Sequence, residues 1–274
     1  MKSPLEIGQD YVRNLESKLF YLDPILSLYQ HGSSTTEDFI PGISDIDLWM
    51  ILKTTKGHHD IELTNQIYSI HESFIKNCDT PVDIIIYGDD ELPLENNIGY
   101  SLLKSLFIFD YKKSAILLLG EDILPKLIDI DIKIASLELV NQLKRGVRQR
   151  LSYNGYLSSP EIVRRFLGDR CSGNTYVTED IGKDLERIDH FTQYAVTIAA
   201  KCRLSYSGKV IVSKDKVLDE YIQIYEEEDF TDVVREVQDC RNKNIIKSDL
   251  PIKCYRFVEF VSQKLEVDYN GRQD

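Results

Sequence analysis

The chain has 274 residues, 42% hydrophobic and 28% charged, with a formal net charge of −12 at pH 7. That is an ordinary globular balance, with length enough for two separately cored domains. The acidic excess and the lack of a long basic run disfavour stable nucleic-acid binding, which needs a basic face; they favour a cationic small molecule, or a nucleotide screened by Mg²⁺.

No apolar run reaches the roughly 18 residues of a membrane span, so no membrane partner is expected. Met1 to Asp10 is polar and mixed in charge, without the apolar core of a signal peptide. The five cysteines, Cys78, Cys171, Cys202, Cys240 and Cys254, are odd in number and widely spaced. Free structural thiols in a cytoplasmic protein are the expectation.

In chain order, Leu5, Val12, Leu15, Leu19, Leu22, Ile25 and Leu26 recur at helical spacing and predict a helix from about Pro4 to Tyr29, with Pro24 interrupting it or starting a new turn. A short strand, Tyr29 to His31, then enters the turn Gly32-Ser33. After a polar loop comes Asp45-Ile46-Asp47-Leu48-Trp49-Met50-Ile51-Leu52, which reads as a strand. Residues two apart on a strand share a face. Asp45 and Asp47 therefore aim at one site, and Ile46, Leu48, Met50 and Leu52 go to the core. Two carboxylates side by side repel unless a cation lies between them, and Mg²⁺ takes one or two carboxylates together with phosphate oxygens and waters. Upstream, Gly32 leaves its backbone open to close approach and Ser33 adds a hydroxyl, which suits phosphate.

Ile61, Ile67, Ile70, Phe74 and Ile75 mark a helix ending near Lys76. The adjacent His58 and His59 read as loop residues, since neighbours rarely face one ion and no third ligand stands at metal-site spacing. The β-branched stretch Val82 to Tyr87 is a strand with Asp83 on the face of Ile85 and Tyr87, and Val82, Ile84 and Ile86 opposite. Gly88 to Gly99 reads as an acidic surface loop, and Ala115 to Asp122 as a last short strand.

Beyond Pro125 amphipathic helices take over. Ile132 to Leu151 carries Lys144, Arg145, Arg148 and Arg150, either a solvated basic face or a phosphate or domain contact. Ser159-Pro160-Glu161 opens a further helix and Arg170 to Thr178 is loop. Arg203 ends one helix, Gly208 makes a turn, and Ser213 caps the next, which begins at Lys214.

Gly-Ser, a loop, and Asp-Ile-Asp-Leu at a strand start resemble the signature of the DNA polymerase β nucleotidyltransferase superfamily. The segment from Lys201 to Asp215 looks like the C-terminal domain of aminoglycoside adenylyltransferases that modify streptomycin and spectinomycin. The resemblance implies an α+β fold: an N-terminal nucleotidyltransferase domain with a small mixed sheet, about residues 1–125, followed by an all-α helical bundle over 126–274. It implies transfer of AMP from ATP to a hydroxyl of a small cationic acceptor, with release of pyrophosphate and with Mg²⁺, as two ions, for cofactor. Asp45, Asp47 and Asp83 become metal ligands and catalytic acids, Asp83 serving as ligand or base; Gly32, Ser33, Arg203 and Lys214 become nucleotide contacts. Trp49 is the sole tryptophan, so the aromatic residues that would hold an aminocyclitol find no match; Asp189 is the acid assigned to the acceptor. Transfer onto a protein or RNA partner, and a non-catalytic nucleotide-binding module, stay open as alternatives.

Overall fold

From Ile46 to Leu52 only Asp47 is not apolar, and in the computed structural model of the chain this run is an inner strand of a four-stranded sheet. The structure describes residues 2–19, 21–41, 44–54, 60–93, 106–151, 181–226, 228–243 and 249–271. By its internal contacts the chain divides into Met1–Ile130 and Asp131–Asp274.

In the first unit the strands are β1 (Ile25–His31), β2 (Ile46–Leu52), β3 (Val82–Gly88) and β4 (Ile116–Gly120), in spatial order β3-β2-β1-β4. The pairs β1–β2 and β1–β4 are antiparallel. The β2–β3 pair is parallel, and the crossover that a parallel pair requires is supplied by helix α2 (Ile61–Ile75). Helix α1 (Pro4–Lys18) starts in a capping box: the Ser3 side chain accepts from Glu6 N, while Glu6 accepts from Ser3 N at 2.7 Å, with Pro4 in the first turn, where no intrahelical N–H is lost.

Ile46, Leu48, Met50 and Leu52 of β2, with Val82 of β3, enter one core under Tyr11, Val12 and Leu15 of α1 and Leu63, Ile67 and Ile70 of α2, as the alternation predicts. The opposite face is also covered. Trp49 and Ile51 lie in a second core with Tyr29, Leu92, Leu124, Leu127 and Ile108 of helix α3 (Phe107–Ser114). A one-residue slip would drive Asp47 into the α1–α2 core and lift four apolar side chains out of it, each worth about 1.5–3 kcal/mol when buried. That pins the register at the site.

One predicted element changes. The helix expected from Pro4 to Tyr29 ends at Lys18, and Ile25 to Tyr29 belong to β1. Pro24 sits in the turn between them, and pairing on both sides with β2 and β4 outweighs the helical spacing of Leu22, Ile25 and Leu26.

The second unit holds helices α4 (Ile132–Leu151), α5 (Ile181–Tyr206), α6 (Lys214–Ile224), α7 (Thr231–Lys243) and α8 (Leu250–Asn270) among its described residues. α5 is its axis, touching all four others. Its buried Ala195, Ala199 and Ala200 let neighbouring backbones come close. Tyr221 of α6 meets Phe257 of α8 edge-on at 5.6 Å. Lys144 is not part of a solvated basic face: it donates to Ser262 Oγ at 3.0 Å and pairs with Glu259 and Glu266 at 3.6 and 3.7 Å, tying α4 to α8. The stretches Ser159-Pro160-Glu161, Arg170 to Thr178 and His58-His59 lie outside the described residues. Cys78, Cys202, Cys240 and Cys254 are free thiols, the last three buried. Among the described residues no helix is long and apolar enough to cross a membrane.

Candidate active site

β1 ends at His31 and turns at once into a single 3₁₀ turn, Gly32–Thr35. Gly32 has φ +73°, and a Cβ placed there would lie 2.1 Å from Asp47 Oδ2 and 3.1 Å from its Cγ. The carboxylate of Asp47 thus occupies the space a side chain at position 32 would fill, and the left-handed backbone suits glycine alone. Side chains lock the turn: Ser34 Oγ donates to the carbonyl of His31 at 2.7 Å, and Thr35 Oγ1 to that of Gly32 at 3.0 Å. Ser33 is buried in it.

Across the sheet, His31 is the register partner of Asp47, and Asp47 of Asp83. In register-paired strands, partners point to the same face. The three therefore form a row over β1, β2 and β3, on the face that holds Trp49 and Ile51. Asp47 is half-buried and Asp83 exposed. Asp45, also half-buried, stands one residue before β2, where Ile46 N donates to Pro81 O at 2.9 Å and pins the strand starts together. Burial pulls the neighbouring His71 of α2 below the usual histidine range, and the charge of Asp83 works against that shift.

The donor set of Asp47 and Asp83 is all oxygen, which suits Mg²⁺, a cation that keeps several sites for phosphate oxygens and water. Among the described residues no three His, Cys, Asp or Glu side chains are gathered closely enough to hold a metal; Asp45 does not complete such a set with the other two. The pair would supply part of a shell that a nucleotide's phosphates could complete, and in that respect the donor chemistry fits the ion.

His31 was not singled out by its sequence pattern, because a histidine before a glycine carries no signal; the register reveals it. Its ring is buried and meets Tyr111 of α3 edge-on at 4.7 Å. Burial pushes its pKa down to about 4, so the imidazole beside the carboxylates is neutral at pH 7. Tyr111 stacks on Trp49 at 4.8 Å, and Trp49 on Tyr29 at 5.5 Å, so an aromatic cluster flanks the row on the same face of the sheet.

In the helical unit, Ser213 caps α6, its hydroxyl accepting from Lys216 N at 3.2 Å, and Lys214 is the first helical residue. Arg203 of α5 is engaged within its own unit. Its guanidinium pairs with Asp268 of α8 and with Glu228 at 3.5 Å, and lies over the Tyr225 ring at 5.2 Å. Asp184, Glu186 and Asp189 are on the backbone of α5; Glu179 and Asp180 are outside the described residues.

A small mixed sheet whose glycine-led turn closes on the carboxylate of a neighbouring strand, in an α+β chain that continues into helices, has the fold of a nucleotidyltransferase of the aminoglycoside adenylyltransferase type. The solved structure of spectinomycin adenyltransferase AAD(9) from Enterococcus faecialis, determined with ATP and spectinomycin, is similar at a TM-score of 0.54 and 12% identity, covering 94% of this chain and 98% of that one. At that identity the likeness is one of fold. No protein-family model and no curated protein matches the sequence.

Proposed function

We propose that the chain transfers AMP from ATP to a hydroxyl of a small cationic acceptor of the aminocyclitol class, releasing pyrophosphate. One observation carries the reading: the Asp47 carboxylate seated on Gly32, with Asp83 its register partner on the next strand. A glycine-led turn closed against a carboxylate that is register-paired with a second carboxylate supports the reading of phosphate and cation held side by side.

In this reading the backbone of Gly32 and the hydroxyl of Ser33 hold the β- and γ-phosphates. Asp47 and Asp83 would hold Mg²⁺, which when bound neutralises phosphate charge and polarises the phosphoryl oxygens; Asp45, one residue before β2, is assigned to the rim of the ion's site rather than to a closed set of three ligands. Asp83, the exposed member of the row, takes the proton from the acceptor hydroxyl as its oxygen bonds to the α-phosphorus and the bond to pyrophosphate breaks. Positioning and charge neutralisation do most of the work in such transfers. Lys214 and Arg203 are assigned to the triphosphate, and Asp189 to an ammonium group of the acceptor. The net charge of −12 is in keeping with a cationic acceptor.

The test is pyrophosphate release by the full chain with ATP, Mg²⁺ and a panel of aminocyclitols including spectinomycin and streptomycin, with the adduct read by mass. Asp47→Asn should leave the fold intact and bring release down to background. Undiminished turnover in that variant refutes the site. An AMP adduct on a co-purifying protein, with every aminocyclitol inert, replaces the acceptor assignment.

A further inference from the structure

Gln30 and His31, the two residues before Gly32, go to opposite faces of the sheet, and only His31 faces the carboxylate row. Gln30 is on the α1–α2 side and fully buried. Its Nε2 donates to the carbonyl of Ser34 at 3.3 Å; the reverse orientation of the amide would set two oxygens face to face. Its Oε1 is buried and finds no hydrogen-bond partner among the described residues. A buried amide half satisfied is costly in an apolar layer that a leucine would fill better.

A second cost meets it. Gly8 is in the interior of α1, where glycine is about 1 kcal/mol worse than alanine. A Cβ on Gly8 would lie 2.3 Å from Gln30 Oε1 and 3.0 Å from Leu118 Cδ1. The helix gives up a side chain where the amide needs room, and what the amide reaches is the third residue of the Gly32–Thr35 turn.

We propose that Gln30, seated against Gly8, is a positioning residue that ties the turn to the sheet from beneath and holds it in the shape that receives the triphosphate. The assignment rests on the reading of that turn as the phosphate site. Gln30 touches no reacting atom; it acts through Ser34. Its partner on α1 makes the first helix part of the nucleotide site's support.

The test is direct binding of a non-hydrolysable ATP analogue to the full chain in Mg²⁺, followed by steady-state kinetics. Gln30→Leu should melt within about 5 °C of the unmodified protein, since apolar burial offsets the lost amide. It should bind the analogue roughly three- to tenfold more weakly, the worth of one hydrogen bond. KM for ATP should rise with KM for the acceptor unchanged, a split that loss of packing alone does not produce. Gly8→Ala, which keeps Gln30 but displaces its amide, should weaken the analogue similarly. The double variant should be no worse than Gln30→Leu, because the two act through one contact. If Gln30→Leu fails to fold, Gly8→Ala carries the test. Unaltered analogue binding by a folded Gln30→Leu or Gly8→Ala, or additive losses, overturns the proposal and leaves the phosphate site standing. Failure of the unmodified chain to bind the analogue overturns both.

Discussion

Replacing Gly32 with alanine separates stability from activity at the site. At φ +73°, an L-residue pays about 1–2 kcal/mol for the left-handed backbone, or roughly 3–6 °C of melting temperature for a chain of this size. The new methyl would sit 2.1 Å from Asp47 Oδ2, where ordinary contact begins at 3.4 Å. A carboxylate is the far end of a rotatable side chain, so it yields with little further loss of stability. It yields, however, by about 1 Å, and a displacement of that size at a reacting centre costs on the order of 10²-fold in rate. Gly32→Ala should therefore unfold only a few degrees early in a calorimetric scan while pyrophosphate release falls about 10²-fold. Full activity in Gly32→Ala would refute the reasoning that this glycine exists to admit Asp47.

Arg203→Met discriminates between the contacts the fold displays and the contact the resemblance implies. Stripping Asp268 and Glu228 of their shared cation should cost the helical unit about 3 kcal/mol, read by denaturant titration; a raised KM for ATP at unchanged stability would instead assign Arg203 to the triphosphate. Tyr29 donates to Asp122 Oδ1 at 2.9 Å and accepts from Ile123 N at 2.7 Å, and burial pushes its pKa up to about 12. The folded state keeps the proton longer than the unfolded chain, so this stabilisation is whole below about pH 10 and is lost as pH rises toward 12. Tyr29→Phe should be less stable than the unmodified chain at pH 8, with the difference shrinking between pH 10 and 12; a pH-independent difference would count against it.

Much of the candidate site could be read from local pattern. The period of two put Asp47 and Asp83 on one face of their strands and Ile46, Leu48, Met50, Val82, Ile84 and Ile86 on the other, and the packing follows it. Ser213 announced itself as a cap because a cap is a contact between residues three apart. What escaped was non-local. Ile25 and Leu26 fit a helical spacing and became strand because β2 and β4 flank them. The strand pattern assigned no partner to Trp49 and Ile51 on the second face of β2, which past Asp47 is covered by α3. Lys144 read as a cation for solvent or phosphate, but its carboxylate partners lie on α8, more than a hundred residues away.

Sequence alone settled what each residue type can do at short range: which side chains share a face, where a glycine lets the chain turn, which hydroxyl caps a helix. Tertiary structure alone decided which of those groups meet. It set His31, Asp47 and Asp83 in one row, brought Gly32 against a carboxylate from another strand, and let Gly8 make room for Gln30. The physical reason is that alternation and capping act over a few bonds, whereas register and helix packing are chosen by burial summed over the whole core.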